Sequence, residues 1–139
     1  MMRIAEKTPG GILMFFPSYR LMEMCYDTWS DYGLVSKIDK LKLLLKEPKD
    51  PSQYQLTMDR YYGSIFEEDA QGAILMGVCR GRISEGLDFS DNAARCVVIV
   101  GIPYPQVGDA RVVLKKDYLD RRCKDFSLPI EQRQLPGKD

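Results

Sequence analysis

Three runs of strand length contain no polar side chain except a thiol: Gly11 to Phe16 (GILMFF), Ala73 to Val78 (AILMGV) and Cys96 to Ile102 (CVVIVGI). A strand with one face in water alternates apolar and polar residues, so an unbroken apolar run has to be covered on both faces. A parallel sheet between two layers of helices meets that condition. The intervening segments carry helical spacing. Ser18 suits an N-cap, and Leu21, Met22, Cys25, Tyr26, Trp29 and Tyr32 fall on one helical face, with Gly33 placed to stop the helix. Met58, Tyr61, Tyr62, Ile65 and Phe66 predict another helix ending near Glu67 to Asp69. Asp109 to Phe126 predicts a helix with Leu114 and Tyr118 inward and its lysines and arginines outward. Leu34 to Glu47 has helical spacing, yet its end also fits a strand before Pro48. The preferred reading is a helical turn to about Lys40 and a strand over Leu41 to Glu47. Lys49 to Ser52 is turn chemistry, and Cys79 to Asn92 reads as a polar loop. The class is therefore α/β, with residues 1–10 a flexible segment, 11–126 the folded part and 127–139 a loose tail.

Bulk properties remove several function classes. The chain has 139 residues, one domain's worth, with 45% hydrophobic and 29% charged residues, which is ordinary globular composition. No apolar run approaches the ~20 residues that cross a bilayer, and no membrane association is expected. The start carries Arg3, Glu6 and Lys7 without a following apolar region, unlike a secretory leader. Lysine plus arginine equals aspartate plus glutamate, 20 against 20, so binding to a nucleic acid would need a local basic patch rather than overall charge. The absence of histidine removes Ser-His and Cys-His nucleophile schemes. Cys25, Cys79, Cys96 and Cys123 form no C-x-x-C pair. No metal site is expected from this chain alone; the thiols fit a reducing compartment and read mostly as small buried hydrophobes.

In such a sheet, ligands bind beyond the carboxyl ends of the strands. The segment leaving the second run, Cys79 to Asp91 (CRGRISEGLDFSD), concentrates Arg80, Arg82, Gly81, Gly86, Ser84, Glu85 and Asp88 at such an end. Glycines admit backbone N–H groups to a phosphate, and arginine and serine hydrogen-bond its oxygens. Composition alone favours a polar surface loop whose charges pair with one another.

The wording goes further. Arg80-Gly81-Arg82-Ile83-Ser84-Glu85-Gly86-Leu87-Asp88-Phe89 resembles helicase motif V of the xeroderma pigmentosum group D family of superfamily 2 DNA helicases, R-G-[KR]-x-S-E-G-[LIV]-D-F. Gly11 to Tyr19 is similar to that family's motif IV, and Ala94 to Pro105 to its strand after motif V. The three matches occur in the family's order over Gly10 to about Asp125. Within the family, the wording is similar to the Fanconi anaemia group J and telomere-elongation-regulator helicases. The resemblance implies a RecA-like second motor lobe that closes on a first lobe around ATP and Mg and moves 5′ to 3′ on single-stranded DNA, in the nucleus, with DNA-repair proteins as partners. It implies a [4Fe–4S] cluster in the first lobe only. Ser18, Tyr19, Arg80, Arg82 and Ser84 would face DNA, and Glu85, Gly86 and Asp88 would couple that side to the nucleotide.

The departures matter too. The chain has no G-x-x-x-x-G-K-[ST], no D-E-A-H box and no motif VI. The expectation is that it neither hydrolyses ATP nor unwinds DNA alone and is marginally stable, holding no complete set of catalytic residues. Two other readings stand beside the motor lobe: a non-catalytic module that binds a partner protein or DNA, and an unrelated doubly wound domain for a phosphorylated small molecule. Trp29 and Tyr61-Tyr62 could stack on bases but fit core packing better. Lys115 to Arg122 could contact phosphates but reads as a solvated face.

Overall fold

The computed structural model describes residues 1–86, 89, 91–104 and 108–127. The chain divides into two compact units, Met1–Pro103 and Tyr104–Asp139. The first contains a parallel sheet of β1 (Ile12–Phe16), β2 (Leu43–Lys46), β3 (Ala73–Val78) and β4 (Cys96–Ile99), in the order β2-β3-β1-β4. Its helices are α1 (Met2–Lys7), α2 (Tyr19–Asp31), α3 (Leu34–Asp39), α4 (Tyr54–Phe66) and α5 (Arg82–Gly86).

Alternate residues of the apolar strands feed two cores. Ile12, Met14, Phe16, Leu44, Ile74, Met76 and Val78 pack with Ala5, Met22 and Ile38 of α1, α2 and α3. Leu13, Leu45, Ala73 and Leu75 pack with Met58 and Tyr61 of α4 and with Ile83 of α5. Each such aliphatic side chain contributes about 1.5–3 kcal/mol when withdrawn from water. The RecA-like arrangement expected from the sequence, a parallel sheet with helices on both faces, is thus present.

Local chemistry sets the element ends. The Ser18 hydroxyl accepts from the Leu21 amide at 3.2 Å and caps α2. Gly33 adopts φ +65° just beyond the helix, a conformation that costs other residues about 1–2 kcal/mol. The segment 34–47 divides as preferred, helix then strand.

Several expectations are corrected. Residues 1–10, expected to be flexible, contain α1, because Ala5 is buried and Ile4 packs against the same core. The Cys79–Asn92 loop includes the short α5 and a 3-10 turn at Asp91–Ala94, pinned by buried Ile83 and Ala93. The β4 strand ends at Ile99 rather than Ile102, and it is half-buried on one face and open on the other: Val97 and Ile99 are 53% and 61% exposed. Tyr32 lies outside the core face of α2, and Phe66 is exposed while stacking on Tyr62. Trp29 and Tyr62 are half-buried against the two cores. The cysteines are free: Cys25, Cys79 and Cys96 are half-buried and Cys123 is exposed.

In the second unit, α6 (Ala110–Ser127) starts where Asp109 accepts from the Arg111 amide at 2.8 Å. Leu114 and Tyr118, expected inward, are 69% and 54% exposed. Among the described residues of this unit α6 is the only regular element, so nothing there offers those side chains a core. An ion pair of Asp117 with Arg121 at 2.7 Å lies along its surface. The tail expected to be loose, from residue 128 on, lies outside the described residues.

Two buried polar groups tie the amino end of the sheet. Lys42 donates to the carbonyls of Gly10 and Gln71 at 2.8 and 3.1 Å, and its burial lowers its pKa. The Tyr61 hydroxyl donates to the Ala93 carbonyl at 2.7 Å. Burial holds that phenol well above the usual tyrosine value, with the neighbouring Tyr62 adding to the effect. Tyr61→Phe should lower the free energy of unfolding in urea by about 1–3 kcal/mol, because the carbonyl stays buried without a donor. The folded protein also keeps a proton that the unfolded chain gives up near pH 10. The stability tied to it is therefore complete below about pH 10 and is lost as pH rises beyond it. Denaturation curves at increasing alkalinity should show a smaller alkaline loss for Tyr61→Phe than for the parent chain.

Candidate nucleic-acid interface

The carboxyl ends of β1 and β3 lie side by side. Phe16 is opposite Val78 in the ladder, and the Cys79 amide donates to the Phe16 carbonyl at 2.8 Å. The segments that leave these strands, Ser18-Tyr19 and Arg80 to Gly86, therefore start from one end of the sheet. Sequence separation of some sixty residues is removed by the pairing of two strands.

Arg80 occupies the third position of a turn closed by the Gly81 amide donating to the Val78 carbonyl at 2.9 Å, with φ +66°. A side chain in that conformation carries strain. Arg80 and Arg82 are exposed. Neither forms an ion pair with any carboxylate among the described residues. Among the described residues, then, no ion pair joins these arginines to the loop's acids; Asp88 lies outside them.

Ser84 is exposed, and its hydroxyl donates to the Gly81 carbonyl at 3.0 Å, which uses its proton in the turn. Ser18 is exposed and uses a lone pair in capping α2, so its own proton stays available to an acceptor. Glu85 is exposed and Gly86 ends α5. Asp88 lies outside the described residues. Phe89 is described: its ring meets Tyr61 edge-on at 5.9 Å and stacks on Tyr62 at 6.3 Å, which anchors the far end of the loop.

Behind the exposed arginines is a group that the sequence reading passed over. Glu47, at the carboxyl end of β2, is 3% exposed. Its Oε2 accepts from the Val78 amide at 2.8 Å, and its Oε1 accepts from the Ile83 amide at 3.4 Å. Tyr19, half-buried, feels the charge of the same carboxylate. Burial, then the charge of Glu47, raise the Tyr19 phenol above its ordinary value, while Arg82 acts in the opposite direction. Tyr54 is raised by burial and by Glu47 in the same way. The available signal was positional: a carboxylate on the last residue of an expected parallel strand, next to Pro48.

The neighbouring carboxyl end of β2 is cationic and tied to α2. Lys46 pairs with Glu23 at 2.7 Å and lies 4.0 Å over the Tyr26 ring, and Lys49 reaches Glu23 at 3.7 Å. The hydrogen bond from Lys46 holds the Glu23 carboxyl below its usual pKa. The opposite, amino end of the sheet opens on a groove bordered by Asp39, Asp59, Glu67, Glu68 and Asp69 with Arg60. The acidic side chains of that groove oppose a polyanion at the amino end.

The family model of the helicase C-terminal domain matches residues 1–137. The chain belongs to the helicase C-terminal domain family. It is 49% identical over 112 residues to the regulator of telomere elongation helicase 1 homolog of Anopheles gambiae, a match covering 81% of this chain and 11% of that protein. The homolog of the same name from Aedes aegypti is 48% identical over 111 residues, covering 80% and 11%. That from Drosophila persimilis is 42% identical over 129 residues, covering 92% and 13%. The chain thus spans roughly a tenth of the length of these relatives. Within this helicase C-terminal domain, the strained Arg80 and the buried Glu47 follow neighbouring parallel strands at the same end of the sheet.

The strain at Arg80 has a measurable consequence. Arg80→Gly should raise the free energy of unfolding by about 1 kcal/mol, because glycine accepts φ +66° without steric cost. A loss of stability in urea titration would show that contacts of the arginine stem outweigh the strain.

Proposed function

We propose that this chain is the second motor lobe of an ATP-dependent DNA helicase that moves 5′ to 3′ and serves genome maintenance in the nucleus, and that its own part is to hold the backbone of single-stranded DNA. The observation that carries this reading is the pair of exposed arginines, Arg80 and Arg82, without an ion-pair partner among the described residues, at a strand exit beside Ser18 and Tyr19. The similarity to regulator of telomere elongation helicase homologs supports the same assignment.

A guanidinium presents paired N–H donors to phosphate oxygens, which gives each arginine both charge and orientation. Ser18 adds an O–H donor. Tyr19, half-buried beside Ser18, offers the sugar-phosphate chain its ring. Ser84 supports the turn that presents Arg82. These contacts read backbone rather than base, so the lobe grips strands of any sequence.

ATP with Mg, when bound between two lobes, supplies the energy of translocation. The nucleotide site is proposed to need a first lobe as well, because this sequence carries no phosphate loop. Glu85 and Gly86, with Asp88, are proposed as the link from the DNA side to that cleft, which needs a first lobe as partner. The [4Fe–4S] cluster is assigned to that first lobe, and DNA-repair proteins are proposed as further partners. The isolated chain is accordingly proposed to be inactive in ATP hydrolysis. A second reading, a module that binds a partner protein without turnover, is favoured by the exposed Val97 and Ile99 of β4.

Fluorescence anisotropy with labelled oligothymidylate at several salt concentrations tests the proposal. The parent chain should bind with salt-sensitive affinity. The Arg80→Ala, Arg82→Ala double variant should lose affinity and show a slope of log affinity against log salt shallower by about 0.7 for each phosphate contact removed. Equal binding by both folded proteins, or none by either, would overturn it and favour the protein-partner module.

A further inference from the structure

We infer that Glu47 is the positioning residue of the strand-contacting face: its buried carboxylate ties the end of β3 to the first residues of α5, so that the turn carrying Arg80 and Arg82 is held in one conformation beside Ser18 and Tyr19. This inference rests on the single-strand-binding reading above and assigns a role to a residue outside both motifs.

The geometry supports it from several directions. Glu47 is itself fixed, because its amide donates to the Met76 carbonyl at 2.7 Å in the ladder. Its two oxygens accept from amides 31 and 36 positions away in sequence, on either side of the Arg80 turn. The backbone makes room for the carboxylate: a Cβ on Gly81 would come within 2.8 Å of Oε1, and one on Gly77 within 3.3 Å of Oε2. A buried carboxylate is retained where donors meet it, and here the donors are the Val78 and Ile83 amides. A five-residue helix is too short to persist on propensity alone. The acceptor that completes its first turn comes from β2, and Ile83, 1% exposed, supplies the apolar anchor. Arg82 sits between the Val78 and Ile83 amides, so its direction is set by what Glu47 holds.

Glutamine at position 47 keeps the size of the side chain but replaces one acceptor oxygen with a donor, which opposes one of the two amides. Amide hydrogen exchange is measured residue by residue on the whole 139-residue chain, parent and Glu47→Gln. The amides of Val78 and of Ile83 to Glu85 should exchange about tenfold faster or more, while the ladder amides of β1 and the start of β3 keep their protection. Single-strand affinity should fall by about tenfold, and the losses from Glu47→Gln and from Arg80→Ala, Arg82→Ala should combine to less than their product. Unchanged loop exchange would overturn the inference. Exchange that rises equally across the sheet would overturn it as well, since Glu47 would then support the fold in general. If Glu47→Gln does not fold, Gly81→Ala pushes on the same carboxylate from the loop side and should give the same local rise; no rise there contradicts the role. If the parent chain fails to bind the oligonucleotide, the DNA reading falls, and the exchange pattern still decides whether Glu47 holds the Arg80 turn and α5.

Discussion

The parallel pairing of β1 with β3 is the constraint on which the arrangement depends. With Phe16 opposite Val78 and the Cys79 amide bonded to the Phe16 carbonyl, two loops distant in sequence leave the sheet at the same level. The pairing is strong because both strands are buried on each face, and it is specific because a one-residue slip would exchange the two cores. Polar groups then fasten each end: Lys42 and Tyr61 at the amino end, Glu47 at the carboxyl end.

The two ends differ in charge and in strain. The amino end borders an acidic groove, whereas the carboxyl end presents Arg80, Arg82, Lys46 and Lys49. A chain whose charges sum to zero thus has polarity along its strands, which the overall count conceals. Backbone strain at Arg80 falls in the turn that carries the arginines, where surrounding hydrogen bonds hold a conformation that the side chain disfavours. Glu47 provides that surrounding structure from inside, and the Phe89 ring on Tyr61 and Tyr62 provides it from the far end of the loop.

The strands were legible in sequence because continuous apolar runs have few other uses: β3 has the bounds read from its residues, and Ser18 and Gly33 mark the ends of α2 by cap chemistry. What escaped sequence reading depends on tertiary contacts. The α1 helix carries too few apolar residues to announce itself and forms because Ala5 finds a core. The α5 helix is a single turn stabilised by Ile83 and by a carboxylate from another strand. Leu114 and Tyr118 have the spacing of a buried face, yet spacing does not say whether a partner surface is present. At the site, the motif wording named Ser18, Tyr19, Arg80, Arg82 and Ser84 for DNA. It could not show that the Ser84 proton is used within the turn, or that Glu47 is buried against the turn and α5, because those amides lie more than thirty positions away from Glu47 in sequence.

The central claim is that the carboxyl end of the sheet, organised on Glu47, is where single-stranded DNA is held. Amide chemical-shift mapping during titration with oligothymidylate tests it most directly. The account predicts that the shifts concentrate on Ser18, Tyr19 and the residues from Arg80 to Glu85, with the acidic amino end around Asp59 and Glu67 to Asp69 unaffected. Shifts centred on the amino end, or confined to α6, would contradict it.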